Sequence, residues 1–324
     1  MICLDAFKNI NIMNKQGDLH ISPCCISPTQ KRDVVDFVND PYLKEIRDTW
    51  IAGSWPTACS ACRIEEEHGF TSRRQGANQW YQDNNHNNTN EKLVRIDYYT
   101  GNLCNLACAI CGPHNSSAWS SEMGIRNVSY VQNEFWRTMD CSELSLIHFN
   151  GGEPLLSKEH VLFLESLQNK SSVTLNYNTN ATILPSVRLQ ELWSKFKFVI
   201  LDFSIDDIED KFEYQRYPAK WQSVVENLNW FRDNSDVNTM FGINTTVGVL
   251  NMHSIVNLEN WISDNFASNR MGDATVINKQ LATGILETNN LTKDPKMVVS
   301  YLNSLDKRRG TDWRTTFPEL AKLL

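Results

Sequence analysis

Cys104-Asn105-Leu106-Ala107-Cys108-Ala109-Ile110-Cys111 carries three cysteines at CxxxCxxC spacing and directly follows a strand-like segment, Leu93–Tyr98. Three thiolates on one short loop can occupy three corners of a metal–sulfur cluster. A four-iron cluster has one iron more than this loop has thiols. That iron would be open to a non-protein ligand, and an open metal position is what a reactive site requires. Spacing alone leaves zinc equally open.

Outward from this loop the chain alternates. Strand-like pieces rich in β-branched and aromatic residues are Leu93–Tyr98, Ser145–Phe149, Val173–Asn178, Phe198–Ile205, Met240–Val249 and Thr275–Asn278. Between them lie helical spacings: Leu189, Leu192, Trp193 and Phe196, then Trp221, Val224, Val225 and Leu228, with Val161–Leu164 and Leu167 as another face. Strand and helix in alternation predict an α/β fold with a mostly parallel sheet. Ligands are then expected beyond the carboxyl ends of the strands, whether the sheet is open or a barrel. The polar run Asn84–Asn90 reads as a linker. It divides the chain into a cysteine-rich region (1–83), a linker (84–90), the βα region (91–280) and a helical tail (281–324). In the tail Met297, Val298, Tyr301, Leu302 and Leu305 form one amphipathic face, and the last residues from Arg308 carry no clear signal.

Two further elements stand at strand ends. Asn150-Gly151-Gly152-Glu153-Pro154 follows the second strand, and Leu201-Asp202-Phe203-Ser204-Ile205-Asp206-Asp207 ends the fourth. Paired glycines let a backbone approach a ligand closely. Glu153 offers a carboxylate to a cation, Ser204 a hydroxyl, and Arg216 a guanidinium suited to a carboxylate. Together they are able to hold an amino acid by its amine and its carboxylate.

The CxxxCxxC loop, the GGEP turn and the SxD strand, in this order, resemble the radical S-adenosylmethionine (SAM) enzymes over roughly residues 91–280. The resemblance implies a partial (β/α)6 TIM-type barrel. It implies a 4Fe–4S cluster on Cys104, Cys108 and Cys111, whose fourth iron chelates SAM. Gly151, Gly152 and Glu153 would contact the methionine amine, Ser204 and Arg216 its carboxylate. The backbone of Ile110, where the family often has an aromatic residue, would meet adenine, and Asn244 the ribose. Asp206 is the acid expected to face substrate, with a structural hydrogen-bonding role standing beside it. His148 reads as a strand residue with a satisfied ring and Cys141 as a small buried hydrophobe.

The cysteine-rich region holds Cys3, Cys24, Cys25, Cys59 and Cys62. It resembles the SPASM or shorter twitch extension, which carries auxiliary 4Fe–4S clusters in radical SAM maturases, although that extension usually follows the barrel. The resemblance implies one auxiliary cluster on Cys3, Cys24, Cys59 and Cys62. Cys25 is an alternative to Cys24 or Cys3, and a structural four-cysteine zinc is the bland reading. Glu65 with Arg73 is a candidate brace for this site.

The composition of the 324-residue chain fits this picture. Its net charge of −7 argues against a nucleic-acid backbone as partner. The longest apolar run is the six residues Leu106–Cys111, far short of the ~20 needed to span a membrane. No secretion signal is evident, so a reducing cytoplasm is expected. The implied activity is reductive cleavage of SAM to a 5′-deoxyadenosyl radical that abstracts a substrate hydrogen from a peptide or protein side chain. The auxiliary cluster would serve as electron conduit, and a flavodoxin or ferredoxin as electron donor. The same chemistry on a sugar, nucleotide or antibiotic precursor is the second reading. A zinc-stabilised, non-catalytic binding protein is the third.

Overall fold

In the computed structural model, which describes residues 2–15, 17–126, 134–266, 277–281, 284–288 and 290–324, nine strands form one sheet. They are β1 (Asn9–Lys15), β2 (Asp18–Ser22), β3 (Gln30–Arg32), β4 (Arg95–Tyr99), β5 (Leu146–Asn150), β6 (Thr174–Thr179), β7 (Phe198–Ser204), β8 (Thr239–Val247) and β9 (Ile277–Leu281). The order is β3-β2-β1-β4-β5-β6-β7-β8-β9. Strands β4 to β9 pair in parallel with their sequence neighbours, which is the expected six-strand succession. The sheet stays open, with β3 and β9 at its edges, so the barrel is partial. Of the sixth expected strand, Thr275 and Val276 lie outside the described residues.

The sheet runs across the boundary expected at 84–90. Strand β1 pairs parallel with β4, Ile10 opposite Ile96 and Ile12 opposite Tyr98. Strands β2 and β3 extend it antiparallel. The polar segment itself is tied down, because Lys8 Nζ donates to Asn88 Oδ1 at 2.8 Å and to Asn90 Oδ1. The cysteine-rich region therefore shares the barrel's sheet. The signal for this lay in Asn9-Ile10-Asn11-Ile12-Met13, an apolar/polar alternation of the strand period.

The α-helices of six or more residues are α1 (Pro41–Ile51), α2 (Ser60–Glu67), α3 (Arg73–Asp83), α4 (Ser117–Glu122), α5 (Glu159–Ser166), α6 (Val187–Trp193), α7 (Glu209–Gln215), α8 (Trp221–Asn234), α9 (Ile255–Phe266) and α10 (Pro295–Arg309). Their starts are written in the sequence. Asp40 caps α1 through the amides of Tyr42 and Leu43, Ser72 and Gln75 form a capping box on α3, and Asp294 with Pro295 opens α10. Helices α5, α6, α8 and α9 fall between successive strands. No helix among the described residues is long and apolar enough to cross a membrane.

Each central strand alternates. Ile147, Phe149, Leu175, Tyr177, Leu201 and Phe203 are buried in one continuous core. Phe149 stacks on Tyr177 with centroids 4.6 Å apart. Burying each such side chain stabilises the fold by about 1.5–3 kcal/mol. The intervening residues His148, Asn150, Asn176, Asn178, Asp202 and Ser204 are only half-buried. A parallel strand covered on both faces would be apolar throughout. This alternation marks the second face of the sheet as a polar chamber.

Candidate active site

The CxxxCxxC loop leaves the carboxyl end of β4, and the GGEP turn leaves the neighbouring β5. The two are joined by backbone. Gly152 N donates to Gly101 O and Glu153 N to Leu103 O, both at 2.8 Å. A Cβ at Gly152 would stand 2.3 Å from Leu103 O, and one at Gly151 would stand 2.6 Å from Gly101 O, where φ is also +121°. The glycines are thus required by the segment that leads into the cysteine loop. Glu153 is fully buried. It accepts from Leu155 N (3.0 Å), Thr179 Oγ1 (2.9 Å) and Asn180 N (2.7 Å), tying the turn to the end of β6. Burial pushes its carboxyl up to about 7 despite these bonds.

The loop is held by its carbonyls. Ser117 Oγ donates to Cys104 O (2.9 Å), Ser116 Oγ to Leu106 O (2.5 Å), and Trp119 Nε1 to Cys108 O (2.8 Å). Leu106 N donates to Cys104 Sγ at 3.5 Å, a contact that favours a thiolate. Cys108 is buried, and Cys104 and Cys111 are half-buried. Burial pushes Cys108 up to about 12 and raises Cys111, while the positive charge of Arg216 tempers both.

Arg216 itself is buried. Its Nε donates to Asp206 Oδ2 at 2.8 Å, and its Nη2 lies 2.8 Å from the same oxygen. Asp206, expected to face substrate, is fully buried instead. Its other oxygen accepts from Thr246 N at 2.8 Å. It orients Arg216, the structural hydrogen-bonding role that stood beside the substrate-facing one. The reason is position: Asp206 lies two residues past Ser204, where the chain has left the strand and turned into the interior.

Other sequence-predicted residues line the chamber. Ser204 and Asn244 are opposite each other on β7 and β8. Asn244 Nδ2 donates to Asn178 Oδ1 at 2.8 Å, and Asn178 donates onward to Asn150. His148 Nδ1 is 3.2 Å from Asn150 Nδ2 and 3.5 Å from Asp97 Oδ1, so its ring has partners while remaining half-exposed. Burial would raise Asp97, but His148, Arg73 and Arg95 hold it below the usual carboxylate range. Asp202 is the chamber acid the sequence reading passed over. Its Oδ2 accepts from Asn176 at 2.8 Å, and its Oδ1 stands where a side chain at Gly242 would begin. The period-2 polar positions in β5 to β8 were the signal that could have found it. Cys141 is half-buried against the main core.

Cys3, Cys24, Cys59 and Cys62 line one narrow pocket. Cys25 is exposed and does not line it. Burial raises Cys3 and Cys24 and pushes Cys59 up to about 12. Arg73 Nε–H, on a pocket-lining residue, is buried without a hydrogen-bond partner, and the Trp50 indole N–H bears on the Cys59 thiol. An orphan donor is costly unless an acceptor meets it. Four thiols with an unmet donor at their edge fit a sulfide-bearing cluster. The brace is one residue along from the expected pair: Arg74 grips Glu66 bidentately at 2.8 and 2.6 Å. Arg73 reaches Asp97 (3.0 Å) and Asp5 (3.4 Å) instead.

Among the described residues no three His, Cys, Asp or Glu side chains gather around a single-ion position. Zinc requires thiolates about 2.3 Å from one point. A cluster spreads its thiolates over separate irons and needs less convergence.

The family model of the Radical SAM superfamily matches residues 98–262. No curated protein matches the chain. Among solved structures, native anSMEcpe with bound AdoMet is 14% identical over 66% of this chain and 59% of its own, with a TM-score of 0.43. Polyhistidine-tagged anSMEcpe with bound AdoMet is 17% identical over 67% of this chain and 59% of its own, TM-score 0.45. Streptococcus suis SuiB bound to precursor peptide SuiA is 13% identical over 99% of this chain and 75% of its own, TM-score 0.43. The chain thus spans less than two thirds of the length of anSMEcpe.

Proposed function

Because the chain belongs to the radical SAM superfamily, we propose that it cleaves S-adenosylmethionine reductively at Cys104, Cys108 and Cys111 and modifies a peptide or protein side chain. One observation carries the reading: a three-thiol loop is docked by backbone hydrogen bonds onto the Gly-Gly-Glu turn, with one buried cation, Arg216, beside it. When bound, a four-iron cluster with SAM supplies an electron and a 5′-deoxyadenosyl radical that takes a hydrogen atom from substrate. The chain's own residues do the rest. Arg216, oriented by Asp206, offsets the charge of the thiolates and of a bound carboxylate. Glu153 keeps the turn closed against the loop. The chamber residues His148, Asn150, Asn178 and Asp202 bind and orient the substrate at the carboxyl ends of the strands, and Ser204 and Asn244 meet the carboxylate and the ribose of SAM.

The pocket of Cys3, Cys24, Cys59 and Cys62 is read as the seat of an auxiliary four-iron cluster that accepts the electron left on the substrate. Four thiols close such a cluster and leave no open iron, which favours electron transfer over substrate binding. This N-terminal set is also what supports a peptide substrate, through the resemblance to the extensions of peptide maturases. A flavodoxin or ferredoxin would supply the electron, and a reducing cytoplasm would keep the nine free thiols available.

Anaerobic purification with iron and sulfide analysis tests the reading. About eight irons per chain are expected for two clusters, and about four would leave only one. The combined Cys104→Ala, Cys108→Ala, Cys111→Ala variant should release no 5′-deoxyadenosine from SAM under reducing conditions. Release by that variant would remove the catalytic assignment.

A further inference from the structure

We infer that helix α10 is a clasp on the cysteine loop, with Tyr301 and Arg309 as its positioning residues. Tyr301 Oη donates to Ala109 O at 2.6 Å, and Arg309 Nη2 donates to Ala107 O at 2.6 Å. The amides of the same two alanines donate to Gln215 O and Tyr217 O, each at 2.7 Å. Ala107 and Ala109 are therefore held from both sides, and Cys108 is fixed between them. The next residue, Ile110, is left with its amide and carbonyl unpartnered among the described residues. A pinned frame around one open peptide is what a loop needs if it is to present that peptide to a ligand without collapsing onto it.

The clasp is itself anchored. Arg309 Nε is 3.1 Å from Glu122 on α4, and its guanidinium lies 4.8 Å from the ring centroids of both Trp119 and Tyr217. Its side chain is 2% exposed. Val298, Leu302 and Leu305 on the inner face of α10 pack in one core with Ala107, Ala109 and Trp119. The two hydrogen bonds join residues 192 and 202 positions apart, so α10 adds its hold only once it has packed against the loop. Each residue acts through a carbonyl of the loop, which makes its role positional.

The inference rests on the loop holding a cluster as proposed above. It is tested in full-length chain carrying Cys59→Ala and Cys62→Ala, so that one cluster remains. Arg309→Ala should lose iron to a chelator roughly tenfold faster than this parent. Arg309→Lys should fall between, because one ammonium cannot serve Ala107 and Glu122 together. Tyr301→Phe keeps the ring and should keep its iron. The SAM concentration that alters the electron paramagnetic resonance spectrum of its reduced cluster should rise roughly threefold to tenfold, the worth of one hydrogen bond. Arg314→Ala, on the exposed surface beyond α10, should match the parent in both. Variants at 301 and 309 that equal the parent in iron loss and SAM response overturn the clasp alone. A parent that binds no iron overturns the cluster reading and the clasp with it.

Discussion

The two cysteine sites solve one problem by different means. The barrel site draws its three thiols from eight consecutive residues, and backbone hydrogen bonds and carbonyl contacts hold that loop. The N-terminal site gathers Cys3, Cys24, Cys59 and Cys62 from separate segments, and side-chain ion pairs brace it: Arg74 with Glu66, and Arg73 with Asp5 and Asp97. The barrel loop is held at many points, by backbone and side chains together, so one lost contact loosens it without dismantling it. A pocket pinned by side chains depends on each of them. The same contrast sets what can be read from sequence, because local spacing is visible and long-range convergence is not.

The sharpest way to break the comparison is to remove one thiol from each site. Cys108→Ala should reduce 5′-deoxyadenosine release to background, measured by chromatography after anaerobic reduction. Cys59→Ala should retain that release while iron falls from about eight to about four per chain. Equal loss of SAM cleavage in both variants would mean that the two sites do not divide the labour.

Next come the ion pairs. Arg216 and Asp206 are 9% and 0% exposed, so Asp206→Asn leaves a buried guanidinium without its counter-charge and should cost about 3–5 kcal/mol. Arg74 and Glu66 are 12% and 15% exposed, and Glu66→Gln keeps some hydrogen bonding, so about 1 kcal/mol is expected. Urea denaturation of both variants measures the difference. A larger loss at Glu66 would reverse the ranking of the two frameworks.

The βα succession was legible because each strand and helix announces itself locally, as Val173–Asn178 and Trp221–Leu228 do. Cys104, Cys108 and Cys111 were legible for the same reason. The four pocket cysteines were legible as a count and a spacing, and Cys24 could be told from Cys25 only once the chain was folded. Asp206 stayed between a substrate-facing and a structural role because a carboxylate two residues beyond a strand end looks the same in sequence whether it turns outward or inward. Tyr301 and Arg309 were invisible as site residues, since nothing local links them to Ala109 and Ala107 about 200 positions earlier. The polar chamber needed the register of neighbouring strands, although its period-2 signal was present in each.

One glutamate from each site should respond to pH with opposite sign. Burial holds Glu153 protonated up to about 7, against 4.5 for an ordinary glutamate. Between those values the unfolded chain gives up a proton that the folded chain keeps. Stability therefore falls as pH rises from about 4.5 to about 7, by up to about 3 kcal/mol. Glu66 is shifted the other way, chiefly by its hydrogen bonds from Arg74, so its contribution is present above pH 4.5 and is lost on acidification. Denaturation midpoints of the parent, Glu153→Gln and Glu66→Gln across pH 4 to 8 separate the two contributions. Parent and Glu153→Gln curves that stay parallel would show that the turn carries no such proton.

The smallest contrast sets one glycine from each region side by side. At Gly152 a methyl group would stand 2.3 Å from the carbonyl oxygen of Leu103, and the obstacle is backbone that leads straight into the cysteine loop. Relief requires the turn and the loop to separate. Gly152→Ala should cost about 1–3 kcal/mol and also weaken SAM cleavage. At Gly69, just past α2, nothing lies within 4 Å, and only the positive φ of +79° opposes a side chain. Gly69→Ala should cost about 1 kcal/mol and leave iron binding in the neighbouring pocket intact. The comparison is informative because the two penalties have different origins. Steric contact at Gly152 propagates to the thiols through two backbone hydrogen bonds, while torsional strain at Gly69 stays where it arises. A Gly152→Ala chain that loses stability but cleaves SAM at the parental rate would show that the loop keeps its shape without the turn, and the backbone account of the barrel site would fail.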